Sequence, residues 1–175
     1  ERLMNWLPTM IEHRCSIGER GGFFERLRTG TWMGHVLEHV TLEFQSLAGT
    51  EVGYGRAHET KKHGVYNVII EYKEEEFAVH CLHAAHSLLI AAIEGSHFDV
   101  GKTIESLREK LLLEQLGPST RSIVEAARRR DIPVRRLSEG SLVRLGIGSK
   151  QRRIIAAETD QTSAVNETIA QDKEL

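Results

Sequence analysis

The sequence predicts an α+β protein: a small helix-and-sheet domain over residues 1–115, then the opening of an α/β domain over 116–175. Three observations carry this. Two long stretches with apolar residues at helical spacing bracket two β-prone runs. A break at Leu116-Gly117-Pro118-Ser119-Thr120 then marks a shift in composition. Beyond it, helical and strand-like segments alternate.

Residues 6–13 are mixed and apolar, a short helix or strand whose start Pro8 breaks. Residues 14–22 form a loop containing Gly and Ser, and 23–28 show no clear type. Residues 31–47 predict a helix. Met33, Val36, Leu37, Val40, Phe44 and Leu47 share its apolar face, Thr31 is placed to cap its start, and Gly49 lies just past its end. Residues 52–56 and 64–72 predict strands, the second rich in Val and Ile. Residues 74–94 predict a long helix with a Phe77, Cys81, Ala84, Ala85, Leu88, Ala92 stripe, ended by Gly95. Residues 102–115 predict a third helix. Ser119 or Thr120 is the expected N-cap of a fourth, running to residue 130. Strands are expected at 132–137 and 142–145, and a helix at 162–170.

Composition narrows the function classes. Hydrophobic residues are 40% and charged residues 27%, enough to bury a core and keep a polar surface. The formal net charge of -2 gives no overall basic field for nucleic acid. Two cysteines, Cys15 and Cys81, cannot form a disulfide framework, and a reduced, cytoplasmic setting is expected. No apolar run reads as a membrane span, and the first residues lack the pattern of a signal peptide. The Asn166-Glu167-Thr168 sequon is a common chance match. The chain starts without Met and stops inside a helical pattern, which reads as a piece of a longer protein.

His35-Val36-Leu37-Glu38-His39 fits H-x-x-E-H, the inverted zincin pattern. Residues four apart stack on one helix face, so His35 and His39 can hold one metal ion. At about 100° per residue, Glu38 lies roughly 60° to one side of His35 and His39 roughly 40° to the other. Glu38 is thereby placed as a general base toward a water that Zn²⁺ acidifies. A third ligand is needed. Glu43 sits roughly 12 Å along the axis from His35, too far to share the ion. Glu74, at the start of the next long helix, is the first candidate and Glu71 the alternative. Without a metal, His35 and His39 are two polar residues on a mostly buried helix.

The other histidines carry no assignment: His80, His83 and His86 fall on the polar side of their helix, and His58 and His63 flank an exposed hairpin loop. After residue 116, basic residues gather, among them Arg128, Arg129, Arg130, Arg135 and Arg136. They suit either a solvated helix end or a surface for an acidic polymer. Gly146-Ile147-Gly148 is too short to count as a phosphate loop.

Several of these stretches resemble the cyanophycin synthetase family. Upstream they are Arg14-Cys15-Ser16-Ile17-Gly18-Glu19-Arg20-Gly21-Gly22-Phe23 and Gly30-Thr31-Trp32-Met33-Gly34-His35-Val36-Leu37-Glu38-His39-Val40. Downstream they are Leu116-Gly117-Pro118-Ser119-Thr120, Ile132-Pro133-Val134, the 145–154 segment, Thr159-Asp160-Gln161-Thr162-Ser163 and Ile169-Ala170-Gln171-Asp172-Lys173. Ile147 departs from the pattern, where an aromatic residue is expected.

The resemblance implies an N-terminal, polymer-holding domain followed by the first part of an ATP-grasp ligase domain. It implies a parent enzyme that uses ATP and Mg²⁺ to polymerise aspartate and arginine into cyanophycin, as a cytoplasmic homotetramer. The nucleotide-binding groups are expected beyond Leu175, so this segment is not expected to ligate alone. In some members the N-terminal domain is thought to trim cyanophycin into primers at a metallopeptidase-like site, and the H-x-x-E-H stretch lies where that site is implied. Ser119 and Thr120 become candidate substrate contacts by the same match. A non-catalytic polymer-binding module is the remaining alternative.

Overall fold

The computed structural model describes residues 1–15, 18–138, 140–156, 158–163, 166 and 169. The described chain is α+β and divides into two compact units, Glu1–Glu114 and Gln115–Leu175.

In the first unit a short helix α1 (Arg2–Trp6) runs into a 3₁₀ turn at Pro8–Glu12. Residues 23–28, without a clear type in the sequence, lie within a two-turn helix α2 (Gly22–Thr29) that buries Phe23 and Phe24. The central element is α3 (Met33–Ala48). It packs against both strands of a hairpin, against the 3₁₀ turn, and against α4 (Glu75–Glu94) and α5 (Val100–Glu114). Its apolar face supplies Val36, Val40, Phe44 and Ala48 to a core shared with Phe23, Phe77, Cys81, Leu88 and Leu107.

The sequence places Thr31 as the cap of α3, but Trp32 is the capping residue and makes no side-chain bond. The Thr31 hydroxyl is drawn instead to His35 Nδ1, at 2.9 Å. At the other end Gly49 takes φ 112°, the left-handed conformation that closes a helix at low cost for glycine.

The first strand begins three residues later than expected and the second is shorter: β1 (Gly55–Glu59) and β2 (Tyr66–Ile70) form an antiparallel pair with Ala57 opposite Val68. Tyr66, Val68 and Ile70 are half-buried while Asn67 and Ile69 are exposed, the alternation of a ribbon with one covered face. Gly34 on α3 permits the close approach, because a Cβ there would lie 2.7 Å from Tyr66 Cβ.

By length and composition α4 is apolar enough to cross a membrane, a run that the sequence reading does not flag. Its Phe77, Cys81, Ala85 and Leu88 are buried in the core, the pattern of a core helix.

The second unit carries α6 (Pro118–Arg128) and the strands β3 (Val134–Arg136), β4 (Val143–Leu145), β5 (Arg152–Ile155) and β6 (Glu158–Thr159). The strands pair in sequence order, all antiparallel. Among the described residues this is a meander beside a helix, not the alternating β/α pattern that the sequence suggests. Arg152-Arg153 hides β5 from a hydrophobic reading, although Ile154 is buried with Leu116, Val124 and Val143. The helix expected at 162–170 falls largely outside the described residues.

Candidate metal centre

The site is built on the polar stripe of α3. Glu38, His39 and Glu43 are all buried, which is unusual for charged residues unless they are paired or functional. The two imidazoles of the H-x-x-E-H stretch converge: His35 Nε2 and His39 Nε2 lie 3.1 Å apart. The rings meet edge to face at 87°. Two nitrogens on one tetrahedral zinc, each at about 2.0–2.1 Å, would be separated by roughly 3.3 Å. The pair therefore already has close to the spacing of two ligands on one ion.

The third donor comes from the loop before α2. The Cys15 thiol and one nitrogen from each of His35 and His39 lie within 4.8 Å of one another. One thiol and two imidazoles form a donor set suited to zinc, leaving a fourth position for water or substrate. The acidic candidates are placed elsewhere. Glu71 is exposed, and its Oε2 accepts hydrogen bonds from the Gly53 and Tyr54 amides at 2.8 and 2.9 Å. Glu74 is the N-cap residue of α4. Neither lines the cavity that holds the histidines.

Glu38 stands beside the imidazoles, its Oε1 3.8 Å from His39 Nε2. Burial pushes its carboxyl up to about 7, against the opposing pull of the Ala57 amide and of His13. A Cβ at Gly55 would lie 2.6 Å from Glu38 Cγ and Oε1, so the glycine that opens β1 makes room for this side chain. His39 is pushed down to about 3 by burial and by the neighbouring His13 and His35, which keeps the ring neutral and its lone pair available. His35 is lowered by burial and by Arg26, and the Cys15 thiol is raised by burial.

Two further residues adjoin the cluster. His13 Nδ1 is 2.7 Å from His39 Nδ1, and His13 Nε2 is 2.7 Å from Glu43 Oε2. Thr9 donates its hydroxyl to Glu43 Oε1. Periodicity could not find His13 and Cys15, because both precede α2 and reach the site only through folding. The one signal in the sequence is a His and a Cys spaced by one residue, about 20 residues before an H-x-x-E-H pattern.

The centre opens into a cavity of about 790 Å³, whose wall includes Glu12, Arg14 and Arg56. The cavity is large enough for a segment of a peptide-like ligand.

In the second unit Thr120 is buried and donates its hydroxyl to the Ala156 carbonyl at 2.8 Å, while Ser119 is exposed. Gly117, and not either hydroxyl residue, caps α6.

Comparison with known proteins adds a family. A model described as the cyanophycin synthase-like N-terminal domain matches residues 1–94. A cyanophycin synthetase of Geminocystis herdmanii (strain PCC 6308) is 40% identical over 177 residues, covering 99% of this chain. Those of Synechocystis sp. (strain ATCC 27184 / PCC 6803 / Kazusa) and Trichormus variabilis (strain ATCC 29413 / PCC 7937) are each 41% identical over the same span. The chain spans 20% of the length of each of these relatives.

Proposed function

Since the chain belongs to the cyanophycin synthase-like N-terminal domain family, we propose that its first unit carries a zinc-dependent hydrolase centre that cleaves cyanophycin. The observation that carries this reading is the convergence of Cys15, His35 and His39 beside the buried carboxylate of Glu38. Cys15, His35 and His39 would hold the ion. Zinc bound there would supply Lewis acidity to the scissile carbonyl and lower the pKa of a water at the site.

The rest of the chemistry falls to the chain. Glu38 takes a proton from the attacking water as its oxygen bonds to the carbonyl carbon. The C–N bond breaks, and Glu38 returns the proton to the leaving amine. Arg14 and Arg56 in the cavity wall offer cations to the polymer's carboxylates, and Glu12 offers a carboxylate to its guanidinium groups.

The parent protein, on this reading, is an ATP- and Mg²⁺-dependent ligase that joins aspartate and arginine into cyanophycin. The relatives named cyanophycin synthetase support that role. Residues 1–115 would hold the polymer and 116–175 would open the ATP-grasp domain, with Ser119 as a substrate contact at its surface. Cleavage inside a synthetase would supply chain ends for elongation.

The test is to incubate purified, zinc-loaded chain with cyanophycin and follow the release of soluble fragments. Fragments released by the wild type, lost on chelation and lost in Glu38→Gln, are the expected result. No release by the zinc-loaded wild type would leave a polymer-holding module.

A further inference from the structure

Glu43 is too far along α3 to touch an ion held by His35, yet it is buried and doubly engaged. The polar atoms around it form one continuous series. Thr31 Oγ1 meets His35 Nδ1 at 2.9 Å, and His35 Nε2 meets His39 Nε2 at 3.1 Å. His39 Nδ1 meets His13 Nδ1 at 2.7 Å, and His13 Nε2 meets Glu43 Oε2 at 2.7 Å.

The protons in this series can be assigned from its end. A carboxylate only accepts, so His13 donates Nε2–H to Glu43. If His13 carries that single ring proton, its Nδ1 is bare and accepts from His39. His39 consequently carries its proton on Nδ1, and its Nε2 is left as a lone pair aimed at His35. In the metal-free protein His35 fills that lone pair with Nε2–H and accepts from Thr31 at Nδ1. Each donor in the series therefore points toward Glu43.

We infer that Glu43 and His13 form a positioning relay that fixes the tautomer and orientation of His39 for metal binding. The relay rests on the zinc reading of the site given above. It extends the familiar carboxylate–histidine–metal arrangement by one imidazole, with the carboxylate acting on the ligand through a second ring. Packing holds the same geometry: the buried Phe23 ring lies 4.4 Å from the His39 ring and 6.0 Å from that of His13. The two ligands differ in consequence. His39 is preset in the metal-binding tautomer, whereas His35 must move its proton from Nε2 to Nδ1, where the Thr31 oxygen can accept it.

Two readouts on the full chain test this. In long-range ¹H–¹⁵N spectra of the metal-free protein, His39 should appear as the Nδ1–H tautomer and His13 as the Nε2–H tautomer. Zinc should switch His35 and leave His39 unchanged. Zinc affinity, measured by competition with a chromophoric chelator, should fall about 10–100-fold in His13→Ala and in Glu43→Gln. The isosteric Glu43→Gln keeps the shape of the site and guards against a variant that simply fails to fold. An Nε2–H tautomer at His39 in the wild type would overturn the relay. So would wild-type zinc affinity in both folded variants. A wild type that binds no zinc would contradict the metal reading instead, and the His39 tautomer would still decide the relay.

Discussion

The Nε2 atoms of His35 and His39 face each other at 3.1 Å, and the Cys15 thiol closes the third side of the cluster. Without an ion these two atoms share one hydrogen bond, and an ion between them would be held by the lone pair of each.

Gly55 is a space-maker for Glu38. Its substitution by alanine places a Cβ 2.6 Å from the Glu38 carboxylate and forces that side chain to move. Cleavage in Gly55→Ala should drop by about 10²-fold, the scale of a lost general base. Zinc affinity should stay near wild type, because no ligand is displaced. A parallel loss of zinc would show that β1 positions the ligands as well.

The two thiols should differ in reactivity. Cys81 is buried in the core, and its thiol is pushed up to about 12. It should resist alkylation at neutral pH until the protein is unfolded. Cys15 is half-buried and should be modified slowly in metal-free protein, its thiol being raised less by burial. Zinc should suppress that modification. Mass spectrometry after timed alkylation reads both outcomes.

Gly34→Ala tests how the hairpin sits on α3. Alanine gains about 1 kcal/mol of helix propensity over glycine. Against this, a Cβ 2.7 Å from Tyr66 Cβ cannot be relieved by a rotamer change, and overpacking costs about 1–3 kcal/mol. The clash should win, and thermal denaturation should show a lower Tm than the wild type.

In the second unit, Thr120→Val removes the hydroxyl that bonds the Ala156 carbonyl, which at this exposed residue can turn to water instead. A loss of about 0.5–1.5 kcal/mol is expected in denaturant unfolding. Ser119→Ala should change stability by less than about 0.5 kcal/mol, since Ser119 is exposed. An effect of Ser119→Ala on polymer binding alone would mark it as a contact.

Much of the first unit was legible from periodicity. The two long helices, their glycine stops at Gly49 and Gly95, and the hairpin between them follow from local pattern. So does the pairing of His35 with His39, which helix geometry alone brings together. What local pattern cannot supply is the return of the N-terminal segment onto α3. Cys15 and His13 enter the site by tertiary folding, whereas helix and strand pattern alone points to Glu74 or Glu71 for the third ligand. Glu43 was legible as a member of the same helical row, but its role depends on His13. Thr31 reads as a cap from sequence and serves a histidine in the fold, because its hydroxyl meets an imidazole before a backbone amide. The second unit was legible in part: α6, β3 and β4 fall where a helix and two strands are expected, whereas β5 and β6 have only four and two residues, too short for alternation to recognise.

The most direct measurement is zinc stoichiometry by native mass spectrometry, after chelator washing and back-titration of the full chain. One zinc per chain is expected in the wild type and in Glu38→Gln, with binding lost in Cys15→Ala and in His39→Ala. No specific zinc in the wild type, or equal binding in all four proteins, would contradict a metal centre at Cys15, His35 and His39.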